Sequence, residues 1–356
     1  MDDSEVATQF LNYLARKFER AGLSYSELPA RISGGYDASI FGFALNGASE
    51  PLRGPLILRL NRAGTNPQRV KLEGIVHNWL AGQNYPVPAV HVAELDAEPL
   101  GAPFTVMTRL GGKPLAHEIE RIIGGGSAIA TARGLLRVPS ILRDITDGWV
   151  DVQLRLHALD PAPLLAAVSA GGLNPAAITF DGQLSSLAAT VQQLSLVGLQ
   201  PAIDWLMVRR PSSLRQTICH GDFHPLNIMA DHGRVTGVID WTNIVVAPAE
   251  MDVGSAIANI ANVQFDVPAF LRPILRIVVV RILANYRRAY AARHPLDAGA
   301  VRYFQVFRCM AQLVAVLRSR VAGATYSGAF GSDAAIANLA RYIRGLSGVT
   351  INLGQR

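Results

Sequence analysis

A turn-rich segment, residues 216 to 246, lies between two long stretches of helical periodicity and constrains the fold more than any other feature. Before it, from residue 140 onward, apolar side chains such as Trp149, Val152 and Leu156 share one helical face. After residue 253 the pattern is again mostly helical. Within the segment, apolar runs alternate with turn formers, which indicates a loop and a hairpin held by surrounding helices.

The first 110 residues have a different pattern, in which short strands alternate with helices. The predicted elements are a helix over residues 4–20, strands over 39–45 and 55–60 that form a hairpin, a helix over 68–81 and a buried strand over 104–107. A run containing glycine and proline, residues 110–114, then breaks the pattern. We therefore expect an α+β fold with a boundary near residue 110.

Composition limits the class of protein. At 356 residues, with half of them hydrophobic, the chain can form two lobes with separate cores, and this composition excludes general disorder. The net charge is +6, but basic residues are scattered without an aromatic platform, so we expect no nucleic-acid partner. No apolar run reaches the roughly 18 residues of a membrane span, and we expect no membrane partner. Neither observation indicates an oligomeric state.

The start of the chain and the cysteines indicate the compartment. Residues 1–5 are acidic, whereas targeting sequences begin with basic residues. Cys219 and Cys309 are too few for a disulfide scaffold, and the apolar flank of Cys219 predicts a buried thiol without a chemical role. We therefore expect a cytoplasmic protein.

The turn-rich segment contains one constellation of polar residues. His220 and Asp222 are followed by Asn227 with four residues intervening, and Asp240 comes thirteen residues after Asn227. In kinase-type phosphoryl transfer an aspartate orients the attacking hydroxyl, while an asparagine and a second aspartate bind magnesium. A hairpin over residues 228–239 would return Asp240 to the loop. Three oxygen-bearing side chains are thus expected to converge on one magnesium-phosphate cluster.

These residues resemble the aminoglycoside phosphotransferase and choline kinase superfamily, whose members have H-G-D-x-x-x-x-N followed by I-D-W or I-D-F. The sequence is also similar to a broad bacterial branch in its I-S-G-G at 32–35 and L-H-A-L at 156–159. The resemblance implies a bilobal, protein-kinase-like fold. Residues 1–110 would form a nucleotide-binding lobe with a small mixed sheet, and residues 111–356 a mostly helical lobe for catalysis and substrate binding.

The same resemblance assigns roles around the turn-rich segment. It implies that Asp222 is the catalytic base, and that Asn227 and Asp240 bind Mg²⁺. Asp252 is expected to brace the catalytic loop from the following helix. His220 is interpreted as a residue that shapes the loop by hydrogen bonding. The implied reaction transfers the γ-phosphate of Mg-ATP or Mg-GTP to a hydroxyl group of a small molecule.

Two glycine-rich tracts lie outside that segment. Ser33, Gly34 and Gly35 lie between strand-like runs, where backbone N–H groups could fold over a triphosphate, although such a tract is also an ordinary hairpin turn. Residues 124–126 lack the lysine and hydroxyl of a P-loop, so they predict a connection or a substrate-side loop.

The superfamily pairs a strand-borne cation with a helix-borne glutamate in its nucleotide-binding lobe. The resemblance makes Arg59 the ligand of the α- and β-phosphates and Glu73 its partner. Arginine retains the charge of the usual lysine and adds a bidentate fork. The alternative is that Arg59 faces solvent and that Lys71 or Arg62 replaces it.

Met107, Thr108 and Arg109 resemble the superfamily hinge, where backbone groups bind the nucleobase edge. The alternative is the end of an interior strand, and both interpretations can hold together. This segment does not distinguish ATP from GTP.

Two questions of function stay open at the level of sequence. One alternative to a kinase is a pseudokinase that binds a nucleotide without turnover, although the chain retains the catalytic carboxylate and the metal ligands. For the acceptor, aminoglycosides are polycations that need an acidic pocket, whereas the distal helices contain many arginines, Arg308 among them. A neutral or anionic hydroxyl compound is therefore at least as consistent with the sequence.

Overall fold

The amino-terminal part of the chain is built on a five-stranded sheet. The structure is a computed structural model that describes residues 2–32, 38–117, 128–212, 214–263, 272–323, 326 and 330–353, with the backbone alone at 128–139 and 273–275. The strands are β1 (Ser24–Ile32), β2 (Ala38–Asn46), β3 (Leu56–Asn61), β4 (Val90–Glu94) and β5 (Phe104–Thr108). Their order is β1-β2-β3-β5-β4, and all four pairings are antiparallel, which refines the expected mixed sheet.

Two helices accompany this sheet. Helix α1 (Asp3–Lys17) begins with a capping box between Asp2 and Glu5. Helix α2 (Pro67–Gly82) begins after the N-cap Asn66 with proline in its first turn. The buried residues of α1 are Val6, Phe10, Tyr13 and Leu14. Both predicted helices are confirmed, and α1 ends three residues before its predicted limit.

The rest of the described chain is mostly helical. Its helices are α3 (Ala128–His157), α4 (Pro161–Ala170), α5 (Phe180–Gln193), α6 (Gln200–Val208), α7 (Glu250–Asn262), α8 (Arg272–Ala291), α9 (Ala298–Val321) and α10 (Asp333–Ser347). Single 3-10 turns occur at Pro175–Ile178, Val197–Leu199 and Trp241–Asn243. The α+β fold class is confirmed, with a small sheet followed by a helical part.

Short strands lie among these helices, where the sequence predicts an irregular insertion. They are β6 (Lys113–Pro114), β7 (Gln216–Cys219), β8 (Ile228–Asp231), β9 (Arg234–Val238) and β10 (Val245–Pro248). Strands β8 and β9 form the predicted hairpin, and β6 pairs with β8 as a third strand. The turn places His232 and Gly233 at φ of 46° and 78°, as a tight hairpin requires.

A hydrophobic cluster joins α2 to the helical part. It contains Val76 and Leu80 of α2 together with Trp149, Trp241 and Tyr286. The rings of Trp149 and Tyr286 stack with centroids 3.7 Å apart. This cluster holds α2 to the later helices, whereas α1 and the sheet have a separate core that contains Phe10, Phe41 and Phe104. The boundary near residue 110 stays a prediction.

Helix α9 has the length and apolar composition of a membrane-crossing helix, but 72% of its apolar window is buried inside the protein. It packs against α7 at Gly254, where a Cβ atom would lie 2.8 Å from the carbonyl oxygen of Val301 and 2.9 Å from Cβ of Phe304. The two helices approach each other at a distance that leaves no room for a side chain. Helix α9 is therefore packed as a core helix.

We expect Gly254→Ala to lower the free energy of unfolding by about 1–3 kcal/mol, because the added methyl group meets the backbone of α9. Gly345→Ala in α10 is the matched control, since nothing lies within 4 Å of its added Cβ. This control should stabilise the protein by up to about 1 kcal/mol through helix propensity. Urea denaturation measures both, and equal midpoints would contradict the close packing of α7 and α9.

Candidate active site

The carboxylate of Asp252, in α7, is fully buried and accepts three N–H hydrogen bonds. The backbone amides of His220 and Gly221 donate to it at 2.9 and 2.7 Å. Nε2 of His157, at the end of α3, donates to it at 3.0 Å. Buried N–H groups need partners, so this one carboxylate anchors the loop that precedes Asp222 to two helices. The predicted bracing role of Asp252 is confirmed.

The conformation of the loop requires glycine at position 221. Gly221 has a φ of 78°, and a Cβ atom there would lie 2.1 Å from the carbonyl oxygen of Asn243. A side chain at this position is therefore excluded both by the backbone conformation and by the neighbouring segment. At Gly221, the backbone of the loop therefore packs directly against the backbone of Asn243, in the segment that follows Asp240.

The ring of His220 connects the loop to the end of the hairpin. Its Nδ1 accepts from the amide of Asp222 at 3.2 Å, and its Nε2 donates to the carbonyl oxygen of Ile239 at 2.9 Å. Burial lowers the pKa of His220 below its ordinary value, despite the nearby carboxylates. A neutral imidazole with its proton on Nε2 satisfies both contacts. The ring thus shapes the loop, as the sequence interpretation holds.

The carboxylate of Asp222 has two unlike oxygens. Its Oδ1 accepts from Asn259 and lies 3.0 Å from Nη2 of Arg308 and 3.4 Å from Nε2 of His224. Its Oδ2 has no partner among the described residues. Burial raises the pKa of Asp222, but the charges of Arg308 and His224 outweigh it, so the pKa lies well below its usual range. Asp222 is therefore ionised, with one oxygen held and the other open.

A small network fixes the residues around Oδ1. The Oδ1 atom of Asn259, in α7, accepts from Nε of Arg308 at 2.9 Å and from Nε2 of Gln312 at 2.7 Å. These two contacts orient the amide, so that its Nδ2 must donate to Asp222. Arg308 and Gln312 are one turn apart on α9. The Asp222 carboxylate is thus held by two helices that follow it in sequence.

Asn227 and Asp240 lie on either side of the β8-β9 hairpin and are tied together through Ile239. The Ile239 amide donates to the carbonyl oxygen of Asn227 at 2.9 Å. Nδ2 of Asn227 donates to the carbonyl oxygen of Asp222 at 3.0 Å, and its Oδ1 has no donor among the described residues, so it is the available acceptor. The structure thus brings Asp222, Asn227 and the residue before Asp240 into direct hydrogen-bonded contact.

Asp240 has a left-handed backbone, with φ and ψ both 64°. Its Oδ1 accepts from Oγ1 of Thr242 at 2.9 Å, and its side chain is exposed. Non-glycine residues adopt this conformation at a cost and cluster at functional sites. The second oxygen of Asp240 and the free oxygen of Asn227 are hard oxygen donors of the kind that Mg²⁺ prefers. The donor set therefore fits a magnesium site.

Arg59 and Glu73 form an ion pair between β3 and α2. The side chains are 13% and 7% exposed, so the pair is shielded from water. His77 lies behind it and donates its Nδ1 proton to the carbonyl oxygen of Pro88 at 2.9 Å. Burial lowers the pKa of His77, which leaves Arg59 as the cation that Glu73 contacts. The alternative in which Arg59 faces solvent is wrong.

The ion pair faces the segment that follows Asp240. A small pocket is lined by Arg59 and Glu73 on one side and by Trp241 and Thr242 on the other. The predicted phosphate-binding cation and the two residues that follow the predicted metal ligand Asp240 therefore border the same pocket. Trp241 is buried against the catalytic loop, with its ring centroid 4.6 Å from that of His220.

The predicted hinge residues lie at the end of β5. The amide of Thr108 donates to the carbonyl oxygen of Ala89 and that of Arg109 to the carbonyl oxygen of Pro55, both at 3.0 Å. These two amides are satisfied inside the sheet, so a nucleobase would need other backbone groups of Met107 to Arg109. Ser33, Gly34 and Gly35, and the tract 124–126, lie outside the described residues.

Sequence reasoning missed the contacts of Asp222 that come from distant helices. The sequence presents Arg308 only as part of a basic region, and it contains no motif that singles out Asn259 or Gln312. The one local signal is that Asn259 lies two helical turns after Asp252, on the same face of α7. The buried thiol of Cys219 is confirmed, and burial raises its pKa well above the ordinary value.

Comparison with known proteins gives a family match and solved structures of similar fold. The model of the phosphotransferase enzyme family matches residues 30–298. A thermostable mutant of the aminoglycoside phosphotransferase APH(4)-Ia, in a ternary complex with ADP and hygromycin B, has a TM-score of 0.59 at 18% identity, over 95% of this chain and 97% of that chain. Another, with AMP-PNP and hygromycin B, has a TM-score of 0.58 at 19% identity, over 95% and 99%. No curated protein matches the chain.

We expect Asp252→Asn to lower the free energy of unfolding by about 2–4 kcal/mol. The amide turns an N–H group toward at least one of three buried donors, which then loses its acceptor. Asp333→Asn is the control, because that carboxylate is 91% exposed and its loss should change stability by at most about 0.5 kcal/mol. Urea denaturation measures both. Equal effects of the two substitutions would remove Asp252 as the anchor of the loop.

Proposed function

The chain belongs to the phosphotransferase enzyme family, and we propose that it is a small-molecule kinase, which transfers the γ-phosphoryl group of Mg-ATP or Mg-GTP to a hydroxyl group. The observation that carries this proposal is the set of hydrogen bonds that holds Asp222 and Asn227 beside the residue before Asp240. These are the residue types that kinase-type phosphoryl transfer requires. A cytoplasmic location, with its supply of nucleotide, is part of the same proposal.

The two oxygens of Asp222 would have different roles in the reaction. Arg308 and Asn259 hold Oδ1, so the open Oδ2 is the acceptor for the substrate hydroxyl. The hydroxyl oxygen forms a bond to the γ-phosphorus, the bond from phosphorus to the leaving diphosphate oxygen breaks, and the hydroxyl proton passes to Oδ2. Because the pKa of Asp222 is lowered, this carboxylate orients the hydroxyl first and takes its proton late, as a loose transition state permits.

The same geometry supports a proposal for the metal and phosphate ligands. Asn227 and Asp240 would hold Mg²⁺ through their free oxygens, and the bound ion offsets the negative charge on the phosphate oxygens. Arg59, positioned by Glu73, would contact the α- and β-phosphates across the small pocket. Backbone N–H groups of residues 33–35 remain a proposed phosphate contact. Fold relatives crystallised with ADP or AMP-PNP support a nucleotide donor.

A nucleotide-consumption assay tests the proposal most directly. Purified protein with Mg-ATP or Mg-GTP is incubated with hydroxyl compounds, and phosphorylated product is measured by mass spectrometry. A kinase gives product that depends on magnesium and on the acceptor. Nucleotide binding without product from any acceptor would favour the pseudokinase alternative.

Asp222→Asn and Asp240→Asn should differ in their effects on turnover and on thermal stabilisation by Mg-ATP. We expect Asp222→Asn to lower turnover by about 10²-fold or more while Mg-ATP still raises the melting temperature, because the carboxylate acts on the chemical step. Asp240→Asn should lose both turnover and most of the stabilisation by Mg-ATP, because a neutral amide binds the cation poorly. Kinetics and thermal melting measure the two effects.

Asp231→Asn is the control for both variants, since Asp231 lies at the exposed tip of the same hairpin. It should retain turnover and stabilisation. The proposed roles are contradicted if Asp222→Asn keeps full turnover, or if Asp240→Asn keeps the full response to Mg-ATP.

A double-mutant cycle tests the phosphate-binding pair. Arg59→Ala should weaken nucleotide binding by about tenfold or more, because it removes the cation that contacts the phosphates. Glu73→Ala should weaken nucleotide binding less, because Arg59 is still present but is no longer held in position. The two losses should not add, since the residues are in contact. Arg53→Ala, an exposed arginine before β3, should leave affinity unchanged. Titration calorimetry measures the affinities of the wild-type protein, the two single variants, the double variant and the control, and additive losses would separate Glu73 from the nucleotide site.

A further inference from the structure

The charge of the chain is divided unevenly along its length. Residues 253–356 contain thirteen arginines and three aspartates, with no lysine or glutamate, which gives this region a net charge of +10. The whole chain has +6, so residues 1–252 sum to −4. The basic excess therefore belongs to the region that follows the hairpin and supplies α8, α9 and α10.

Arg308 is the member of this basic region that reaches the reaction centre. It lies 3.0 Å from Oδ1 of Asp222 through Nη2 and donates through Nε to Asn259 at 2.9 Å. Its side chain is only 14% exposed. Of its five N–H donors, the one on Nε is in a hydrogen bond, Nη2 forms the ion pair with Asp222, and Nη1 has no partner among the described residues. A largely buried guanidinium with unused donors favours an additional acceptor group.

The open donors of Arg308 and the open oxygen of Asp222 belong to one site. Arg308 contacts the carboxylate whose other oxygen would receive the substrate hydroxyl. The hydroxyl and the unused N–H groups are therefore within the span of one small molecule. A cationic group close to the hydroxyl would be placed against the guanidinium, whereas a carboxylate or phosphate group would accept from it in a charge-assisted hydrogen bond.

We propose that the acceptor substrate is an anionic hydroxyl compound, and that Arg308 binds its carboxylate or phosphate group beside the reacting hydroxyl. This inference rests on the proposed kinase function and names the substrate class of the same site. It makes Arg308 a specificity-determining residue, in addition to its contact with Asp222. Polycationic aminoglycosides are disfavoured as acceptors by the same guanidinium.

The test compares acceptors that differ in one terminal group, which is anionic, neutral or cationic. Two matched series are D-glycerate, glycerol and 3-amino-1,2-propanediol, and D-gluconate, D-sorbitol and D-glucamine. Transfer from Mg-ATP to each compound is measured as kcat/KM for the intact protein. We expect the anion to exceed the neutral alcohol by about tenfold or more in at least one series, with the amine poorest, as a charge-assisted hydrogen bond requires.

Arg308→Gln should reduce this preference to about threefold or less, because it removes the charge. The readout is the ratio of two acceptors within one variant, so a general loss of activity from the disturbed Asp222 cancels. Arg308→Lys retains the positive charge but lacks the bidentate guanidinium group, so it should keep part of the preference for anionic acceptors. It also provides the test if Arg308→Gln does not fold. Arg318→Gln, an exposed arginine on the same helix, is the control and should keep the full preference.

Three outcomes would overturn the proposal. They are a preference for the neutral or cationic compounds, an anion preference that persists in Arg308→Gln, and absence of transfer to both anions while Mg-ATP still stabilises the protein. The last result leaves nucleotide binding intact, so it counts against the acceptor class alone. Loss of stabilisation by Mg-ATP in the wild-type protein would instead contradict the proposed kinase function.

Discussion

The arrangement of the site depends on one buried carboxylate, that of Asp252. It accepts from two consecutive amides of the catalytic loop and from the ring of His157, so it joins the loop to α3 and α7. A loop with a left-handed glycine has no regular hydrogen-bond ladder of its own, and its N–H groups need an outside acceptor. Because Asp252 supplies that acceptor, Asp222 has a defined position before any ligand binds.

The surroundings of Asp222 combine two opposing electrostatic demands. A buried carboxylate needs a positive partner, and Arg308 supplies one. The same partner lowers the basicity of the carboxylate, which weakens it as a proton acceptor. The conflict is reduced by the geometry, since Arg308 and Asn259 contact one oxygen and leave the other open. A group of low basicity suits a reaction in which positioning and charge stabilisation contribute more than early proton removal.

Those parts of the fold and site that rest on local sequence could be predicted, and those that rest on distant contacts could not. The hairpin, α1 and α2 follow from periodicity and capping residues close in sequence. The placement of Asn227 beside Asp222, and of Ile239 beside Asn227, follows from spacing, because the loop and the β8-β9 hairpin bring these residues together. Asn259 and Arg308 reach Asp222 only through the packing of α7 on α9, which no local pattern contains. The sequence does not predict strand β4, because it is a five-residue edge strand in which buried and less buried residues alternate only over the first three positions.

The link between the sheet and the catalytic hairpin has a mechanical consequence. Four residues, 109–112, separate β5 from β6, and β6 is itself paired with β8. Glycine at position 112 permits the pairing of β6 with β8, since a Cβ atom there would lie 2.1 Å from the carbonyl oxygen of Ala230. The link is therefore short, and the first residue of β8 follows Asn227 directly. Any shift of the five-stranded sheet relative to β8 and to the proposed metal ligand would have to be taken up within residues 109–112.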